Sequence, residues 1–418
     1  FEFVIIGFGA SGIAAAIELK SANKKFKIIE KSKTYGGCWN FALPSSCLQT
    51  HRAYYKFTSV DYDQGTSQFP NKLEVLNYFR KAIDIHNLHQ NVLFNSNAKW
   101  EYIKEQNLNW KILINNKYTI YSREILICTG TNYLPKIPRQ FKTYFDDKNR
   151  SNLLNIIHSS SFHKYDLNKV KQIIIVGNGA SACDILKFLV QNPNLNLSKI
   201  EVKVFYRNPK YFLPTAVKGI PGTIILGDPF LKFFEFVPKS VSNFLIILAY
   251  IFVLKSYLPI PNQKINSFNI IGSLIIQKMI AKGLLSYHKE EIEYVDVNNK
   301  LIKTSDAIYT DIDLIILATG FNLPNELDNT TLKLYKYVIP VKNDEIIKNK
   351  GYIGFNRTYN FIRNSELLTR RYIAIYDTDS NQHLSKEEVI SWIKKVEKRK
   401  KENNLNFLDS TYELFELD

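Results

Sequence analysis

Cysteine is scarce in this chain. There are four in 418 residues, Cys38, Cys47, Cys128 and Cys183, and no two form a CxxC or CxxxxC pair. That spacing signals neither a zinc site nor a dithiol redox pair, and so few cysteines without a framework favour a reducing compartment. No secretory leader precedes the first apolar run. Phe1 is not expected to be a native start, so a lost leading piece stays open. A membrane-spanning run is also missing. The longest apolar stretch, VSNFLIILAYIFVL from Val241 to Leu254, has 14 residues, is broken by Asn243 and is bounded by Pro238 and the PIP at 259–261. A span needs roughly 20 apolar residues. The stretch reads as a buried or interfacial helix, with peripheral contact to a membrane surface as the second reading. Neither a Ser-His-Asp nor a paired-carboxylate arrangement stands out, and no stacking-aromatic motif for nucleic acid is present. The net charge is 55 − 39, or +16, which suits a phosphate-bearing partner. Lys, Asn, Ile, Phe and Tyr are all abundant, as AT-biased coding gives, so much of that charge reads as solvated surface.

What is present is one device used twice. Residues 3–13 read FVIIGFGASGI and residues 173–184 read IIIVGNGASACD, with Gly7 and Gly177 170 positions apart. Each is an apolar strand, a glycine turn and a helix start. Strand, helix and strand are expected over Glu2–Ile6, Ala10–Ser21 and Phe26–Glu30, and again over Gln172–Val176, Ala180–Val190 and Glu201–Tyr206. A second echo follows each loop. EILICTG at 124–130 ends in Thr129-Gly130, and DLIILATGF at 313–321 ends in Thr319-Gly320-Phe321. Between Gly7 and Thr129, WEYIKEQNLNWKILI reads as a hairpin; 208–300 reads as an irregular stretch with a helical middle, and the tail Ser385–Asn403 as a charged amphipathic helix. The expected fold class is α/β, with two Rossmann-like dinucleotide-binding domains, the second inserted into the first. The first would take 1–165 plus 305–418, and the second 166–304 with a helical insertion near 230–285.

The glycines have separable tasks. Gly7 allows the tight turn, Gly9 lets a pyrophosphate approach the main chain, and Gly12 lets the helix close on the strand. The phosphates would then sit at a helix N-terminus. Glu30 ends the second strand 23 residues after Gly7, close to the ~20 expected for an acid that binds a ribose hydroxyl. In GNGASA, Ala182 replaces the third glycine. The strand that should end in an acid reads VKVFYR, and Arg207 stands 30 residues after Gly177. An arginine offers a charged fork to a 2′-phosphate. The first loop thus fits an unphosphorylated ribose and the second fits NADPH.

The residues after Glu30 name a family. EKSKTYGGCW, 30–39, resembles the segment of class B flavin-dependent monooxygenases in which an acid is followed by Gly-Gly-x-Trp. LICTGTNYLPKIP, IIHSSSF, GNGASACDI, LATGF and NSELLTRRYIA resemble further family segments, in order along nearly the whole chain. The chain is therefore similar to the flavin-containing monooxygenases, and its LQT at 48–50 is closer to plant-type members than to the animal drug-metabolising ones. It departs from the family fingerprint before the second loop, where only His158 and the aromatic Phe162 survive and Asn152 and Leu154 replace Phe and Gly.

The resemblance implies FAD in the first site and NADPH in the second. It assigns cofactor binding to Gly7, Gly9, Ala10, Ser11, Gly12, Glu30, Lys31, Gly37, Cys38, Trp39, Gln49, Thr50, Thr129 and Gly130. It assigns it further to Gly177, Asn178, Gly179, Ala180, Ser181, Arg207, Thr319, Gly320 and Phe321. Gln49, at the place of a family asparagine, and the nearby His51 are the catalytic candidates. NADPH would reduce the flavin, the flavin would take up O2 as a C4a-hydroperoxide, and one oxygen atom would pass to a nucleophilic nitrogen or sulfur, or to a carbonyl. An uncoupled NADPH oxidase releasing H2O2, a disulfide reductase and a non-catalytic flavoprotein module are the rivals. The expected partners are a small molecule and O2, with no nucleic acid and no metal, in the cytoplasm or on the cytosolic side of a membrane. DTDSNQHLSKEE, 377–388, follows the order of a calcium loop but has Gln382 where the glycine belongs, so calcium is not expected.

Overall fold

The computed structural model describes residues 1–105, 108–145, 154–217, 219–221, 241, 244, 248, 270–322, 332–335, 339–342, 345–346, 350–353 and 361–379. The chain divides into two compact units, one of 1–40, 52–134 and 322–418, the other of 41–51 and 135–321.

The first unit is built on a five-stranded parallel sheet. Its order is Lys350–Tyr352, Glu124–Ile127, Phe3–Ile6, Phe26–Ile29 and Val92–Leu93. Phe3, Val4 and Ile5 are wholly buried, as expected of a central parallel strand covered on both faces. The helix Ala10–Ser21 is buried from Ala10 through Leu19. A helix apolar on every side must be covered on every side, and Phe361–Asp379 packs against it. There Arg370 donates to Glu18 at 2.6 and 2.9 Å. The expected hairpin is present as Ala98–Glu105 and Leu108–Ile114, extended by Tyr118–Ser122. Its Trp110, Ile112 and Ile114 join Val4, Ile6, Ile125 and Ile127 in one core.

The second unit repeats the plan. Its parallel sheet runs Ser286–His288, Glu201–Phe205, Gln172–Val176, Leu314–Leu317 and Asn155–His158. The helix Ala180–Gln191 supplies Ala182, Cys183, Ile185, Leu186 and Leu189 to a core shared with Ile173 and Ile175. Ile174, Phe205, Ile315 and Leu317 belong to a second core with Phe141 and Ile302.

The division falls at 135 and 321 rather than at 166 and 304. Two strands decide this: Leu314–Leu317 pairs with Gln172–Val176 on one side and with Asn155–His158 on the other, so both belong to the second sheet. The segment 41–51 also joins the second unit, with Leu43 in its core. Most of the expected insertion near 230–285, most of Val241–Leu254 and the expected helix Ser385–Asn403 lie outside the described residues. Asp377 and Asp379 of the calcium-like stretch continue the helix Phe361–Asp379, and its remainder is likewise outside. Among the described residues, no helix is long and apolar enough to cross a membrane, and no cluster of three metal-ligating side chains occurs.

Candidate functional site

In the first unit the strand Phe3–Ile6 ends at Gly7, whose φ is +103°. Side chains rarely adopt that angle, and a Cβ there would lie 2.7 Å from the Cys128 carbonyl oxygen. Gly9 caps the helix Ala10–Ser21 without any side-chain cap. Backbone packs on backbone here: a Cβ on Gly37 would stand 3.1 Å from Gly9 Cα. The GFGASG turn and the GGCW turn therefore form one cradle.

Glu30 is buried behind it. Its carboxylate accepts from the Phe8 N–H and the Ser32 N–H, each at 2.7 Å. The acid thus staples the loop to its own strand, and its remaining lone pairs can still accept from ribose hydroxyls. Trp39 donates its indole N–H to the Tyr55 hydroxyl at 3.0 Å. Lys31 Nζ stands 5.0 Å over the Tyr133 ring, Cys38 is exposed, and Ser11 is buried against the Ser365 hydroxyl. Thr129 and Gly130 follow the strand beside Gly7, with Gly130 at φ +72°. A narrow backbone cradle, an uncapped helix start and a buried acid fit a dinucleotide.

The second unit repeats two backbone bonds of this turn. Gly7 N–H donates to Ile29 O at 2.8 Å and Gly177 N–H to Phe205 O at 2.7 Å. Cys128 N–H donates to Ile6 O at 2.8 Å and Ala318 N–H to Val176 O at 2.9 Å. Gly177 has φ +107°, and a Cβ on it would lie 2.5 Å from Ala318 O. Gly179 caps the helix that Ala180 and Ser181 begin, again with no side-chain cap, and the space at its Cβ position is open to 4 Å. Asn178 ties the loop to its neighbours by donating to Asn208 O at 3.1 Å and to the Tyr287 hydroxyl at 2.9 Å. Arg207 is exposed at the end of its strand, with its guanidinium 3.5 Å from Glu291.

Thr319, Gly320 and Phe321 lie in this unit, and His158 holds them. Its Nε2 meets Gly320 O at 2.9 Å, and its ring lies edge-on to Phe321 with centroids 5.0 Å apart. Its Nδ1 accepts from the Ser160 N–H at 3.2 Å, which makes Nε2 the protonated nitrogen. Burial holds the His158 pKa below its ordinary value, so the ring is neutral at pH 7.

Gln49, Thr50 and His51 also fall in the second unit. Gln49 Oε1 accepts from the Gly272 N–H at 3.2 Å. The segment carrying it is fastened by Ser46, whose hydroxyl donates to Asp184 at 2.8 Å. Burial raises the Asp184 carboxyl, and the Ser46 bond opposes that shift. The sequence marks Asp184 only as a polar group on the loop's helix, because its partner stands 138 positions away. Glu366 is similar. Buried, and with its pKa raised by that burial, it accepts from the Thr58 N–H and hydroxyl across 308 positions. No local pattern announces either pair.

Comparison with known proteins bears on both cradles. The family described as pyridine nucleotide-disulphide oxidoreductase matches residues 4–212. The FAD-binding monooxygenase ktnD of Aspergillus niger is 27% identical over 234 residues, covering 52% of this chain and 36% of that protein. The probable indole-3-pyruvate monooxygenase YUCCA1 of Arabidopsis thaliana is 25% identical over 344 residues, covering 78% of this chain and 77% of that one. The chain thus spans about a third of the length of the Aspergillus relative and about three quarters of the Arabidopsis one. Among solved structures, OTEMO in complex with FAD and NADP superposes with a TM-score of 0.68 at 17% identity, covering 94% of this chain and 90% of that one. At that identity the likeness is one of fold.

Proposed function

The chain belongs to the pyridine nucleotide-disulphide oxidoreductase family and is similar within it to the flavin monooxygenases, and from that premise we propose that it is an FAD- and NADPH-dependent monooxygenase acting on a small molecule with O2. One observation carries the reading. Two cradles share their backbone geometry but end in opposite charges, Glu30 behind the first and Arg207 beside the second. The acid suits the ribose of FAD, and the guanidinium suits the 2′-phosphate of NADPH. FAD in the first cradle would supply the relay of electrons from nicotinamide to O2.

The chain's own residues bind and orient. Gly7, Gly9 and Gly12 shape the first pyrophosphate seat, with Gly37 against it and Ala10 and Ser11 opening the helix above it. Lys31, Cys38, Trp39, Thr129 and Gly130 border that seat. Gly177, Asn178, Gly179, Ala180 and Ser181 form the second seat. His158 keeps Thr319-Gly320-Phe321 in place beside it. Gln49 has its carbonyl end held by Gly272, so its amide NH2 is the end that meets a ligand. Thr50 and His51 complete that segment, with His51 the second catalytic candidate. No nucleic-acid or metal role is assigned, and the reading places the protein in the cytoplasm or on the cytosolic face of a membrane.

The family's disulphide chemistry needs two thiols within reach of each other. Cys128 is buried in the first unit and Cys183 in the core of the second, where burial pushes its pKa up to about 12. Burial makes both poor thiolates, and no two of the four cysteines form the CxxC or CxxxxC pair that such chemistry uses. The purified protein should therefore carry a flavin spectrum and consume NADPH in step with oxygenation of an amine, a thioether or a ketone. Consumption of NADPH with stoichiometric H2O2 across all three would instead assign an oxidase, and a colourless protein that binds no added FAD would refute both.

A further inference from the structure

We propose that Glu291 sets the cosubstrate preference of the second cradle by opposing the 2′-phosphate that Arg207 attracts. The inference rests on the NADPH reading of that cradle. In open α/β sheets ligands bind beyond the carboxyl ends of the strands. Three neighbouring strand ends meet there: Gln172–Val176 runs into Gly177, Glu201–Phe205 into Arg207, and Ser286–His288 into Glu291. The last two tips are locked side by side. Tyr206 N–H donates to His288 O at 3.0 Å, and the rings of Tyr206 and Tyr287 stack with centroids 4.2 Å apart. Asn178 bonds to both tips, at Asn208 O and the Tyr287 hydroxyl. The strand ends that lead to Arg207 and Glu291 are therefore held together, and the two side chains meet just beyond them.

The two acids of the Lys289-Glu290-Glu291 run have separate fates. Glu290 turns inward and accepts from the Thr304 hydroxyl at 2.7 Å. Glu291 turns outward, 59% exposed, with its carboxylate 3.5 Å from the 67% exposed Arg207. An ion pair this open to water adds little to stability, so fold maintenance does not account for it. Its effect falls on whatever approaches the guanidinium. A 2′-phosphate has to share Arg207 with a carboxylate of its own sign. A 2′-hydroxyl meets no such penalty and can donate to that carboxylate. Arg207 favours NADPH, Glu291 favours NADH, and the pair leaves a preference smaller than the arginine alone would give.

The probes are 2′,5′-ADP and 5′-AMP, which differ by the 2′-phosphate alone. Calorimetry on the flavin-loaded protein gives the ratio of their affinities for wild type, Glu291→Gln and Arg207→Ala. Glu291→Gln should raise the preference for 2′,5′-ADP about tenfold at low salt and less at high salt, and should move the NADPH-to-NADH ratio of kcat/KM the same way. Arg207→Ala should lower both ratios. If Glu291→Gln leaves the ratios unchanged while Arg207→Ala lowers them, the inference fails and the 2′-phosphate reading stands. If Arg207→Ala moves neither ratio, the 2′-phosphate reading itself fails and takes the inference with it.

Discussion

A methyl group on Gly12 would lie 2.0 Å from Gly7 O, whereas Ala182 carries that methyl at the equivalent place in the second loop and is fully buried in its core. Two loops alike in sequence thus differ in how closely helix and turn approach. Gly12→Ala should cost about 3 kcal/mol or more, because a backbone atom must shift. Ala182→Gly should cost about 1 kcal/mol from helix propensity. Urea unfolding of both variants checks this, and equal losses would show that the first turn is not the tighter one. His158 gives a pH signature at the same scale. Its pKa in the unfolded chain is near 6.5, and burial lowers it in the folded chain. The unfolded state then binds more protons in the window below 6.5, so stability falls as pH drops through it. His158→Gln should flatten that part of the urea-midpoint profile, and an unchanged slope would remove the imidazole from the account. The places of Glu30 and Arg207 could be read from the sequence because each closes the strand that follows a glycine turn, 23 residues after Gly7 and 30 after Gly177. The Oε1 partner of Gln49 was not legible, since Gly272 is 223 positions away.

Helices and strands were read well where apolar runs carry them. The helix Ala10–Ser21 and the strand Gln172–Val176 fall where the helix formers after the glycine turn and the apolar run before it put them, because a short apolar run bounded by a glycine turn is a strong local signal. The segment 41–51 leaves no such signal. It has no regular element to mark it, and it joins the second unit through Leu43 in the core and Ser46 on Asp184. That single bond offers a test of what fastens Gln49. Ser46→Ala leaves a buried carboxylate without its hydroxyl donor, a loss worth about 1–3 kcal/mol. Global stability should fall by that amount, and amide exchange should rise across 41–51 before it rises in the helix Ala180–Gln191. Uniform acceleration across the unit would mean that the segment is held elsewhere.

At the scale of the whole molecule, the duplication was visible in sequence but its boundaries were not. Each Thr-Gly strand pairs with the strand of its own glycine loop, Glu124–Ile127 with Phe3–Ile6 and Leu314–Leu317 with Gln172–Val176. Counting the second of these strands with the first domain ignores a pairing that hydrophobic pattern cannot report, since an apolar run is equally content in either sheet. Each unit has its own core, and ligands protect the structure that they bind. Hydrogen exchange on the flavin-loaded protein should therefore show 2′,5′-ADP slowing amides around Gly177–Ser181 and Tyr206–Asn208, with those around Gly7–Gly12 unmoved. FAD added to flavin-stripped protein should protect Gly7–Gly12 and the Gly37–Trp39 turn. Protection of the Gly7 loop by 2′,5′-ADP in the flavin-stripped protein would show that the cradles do not discriminate by charge, and the division of labour between Glu30 and Arg207 would have to be abandoned.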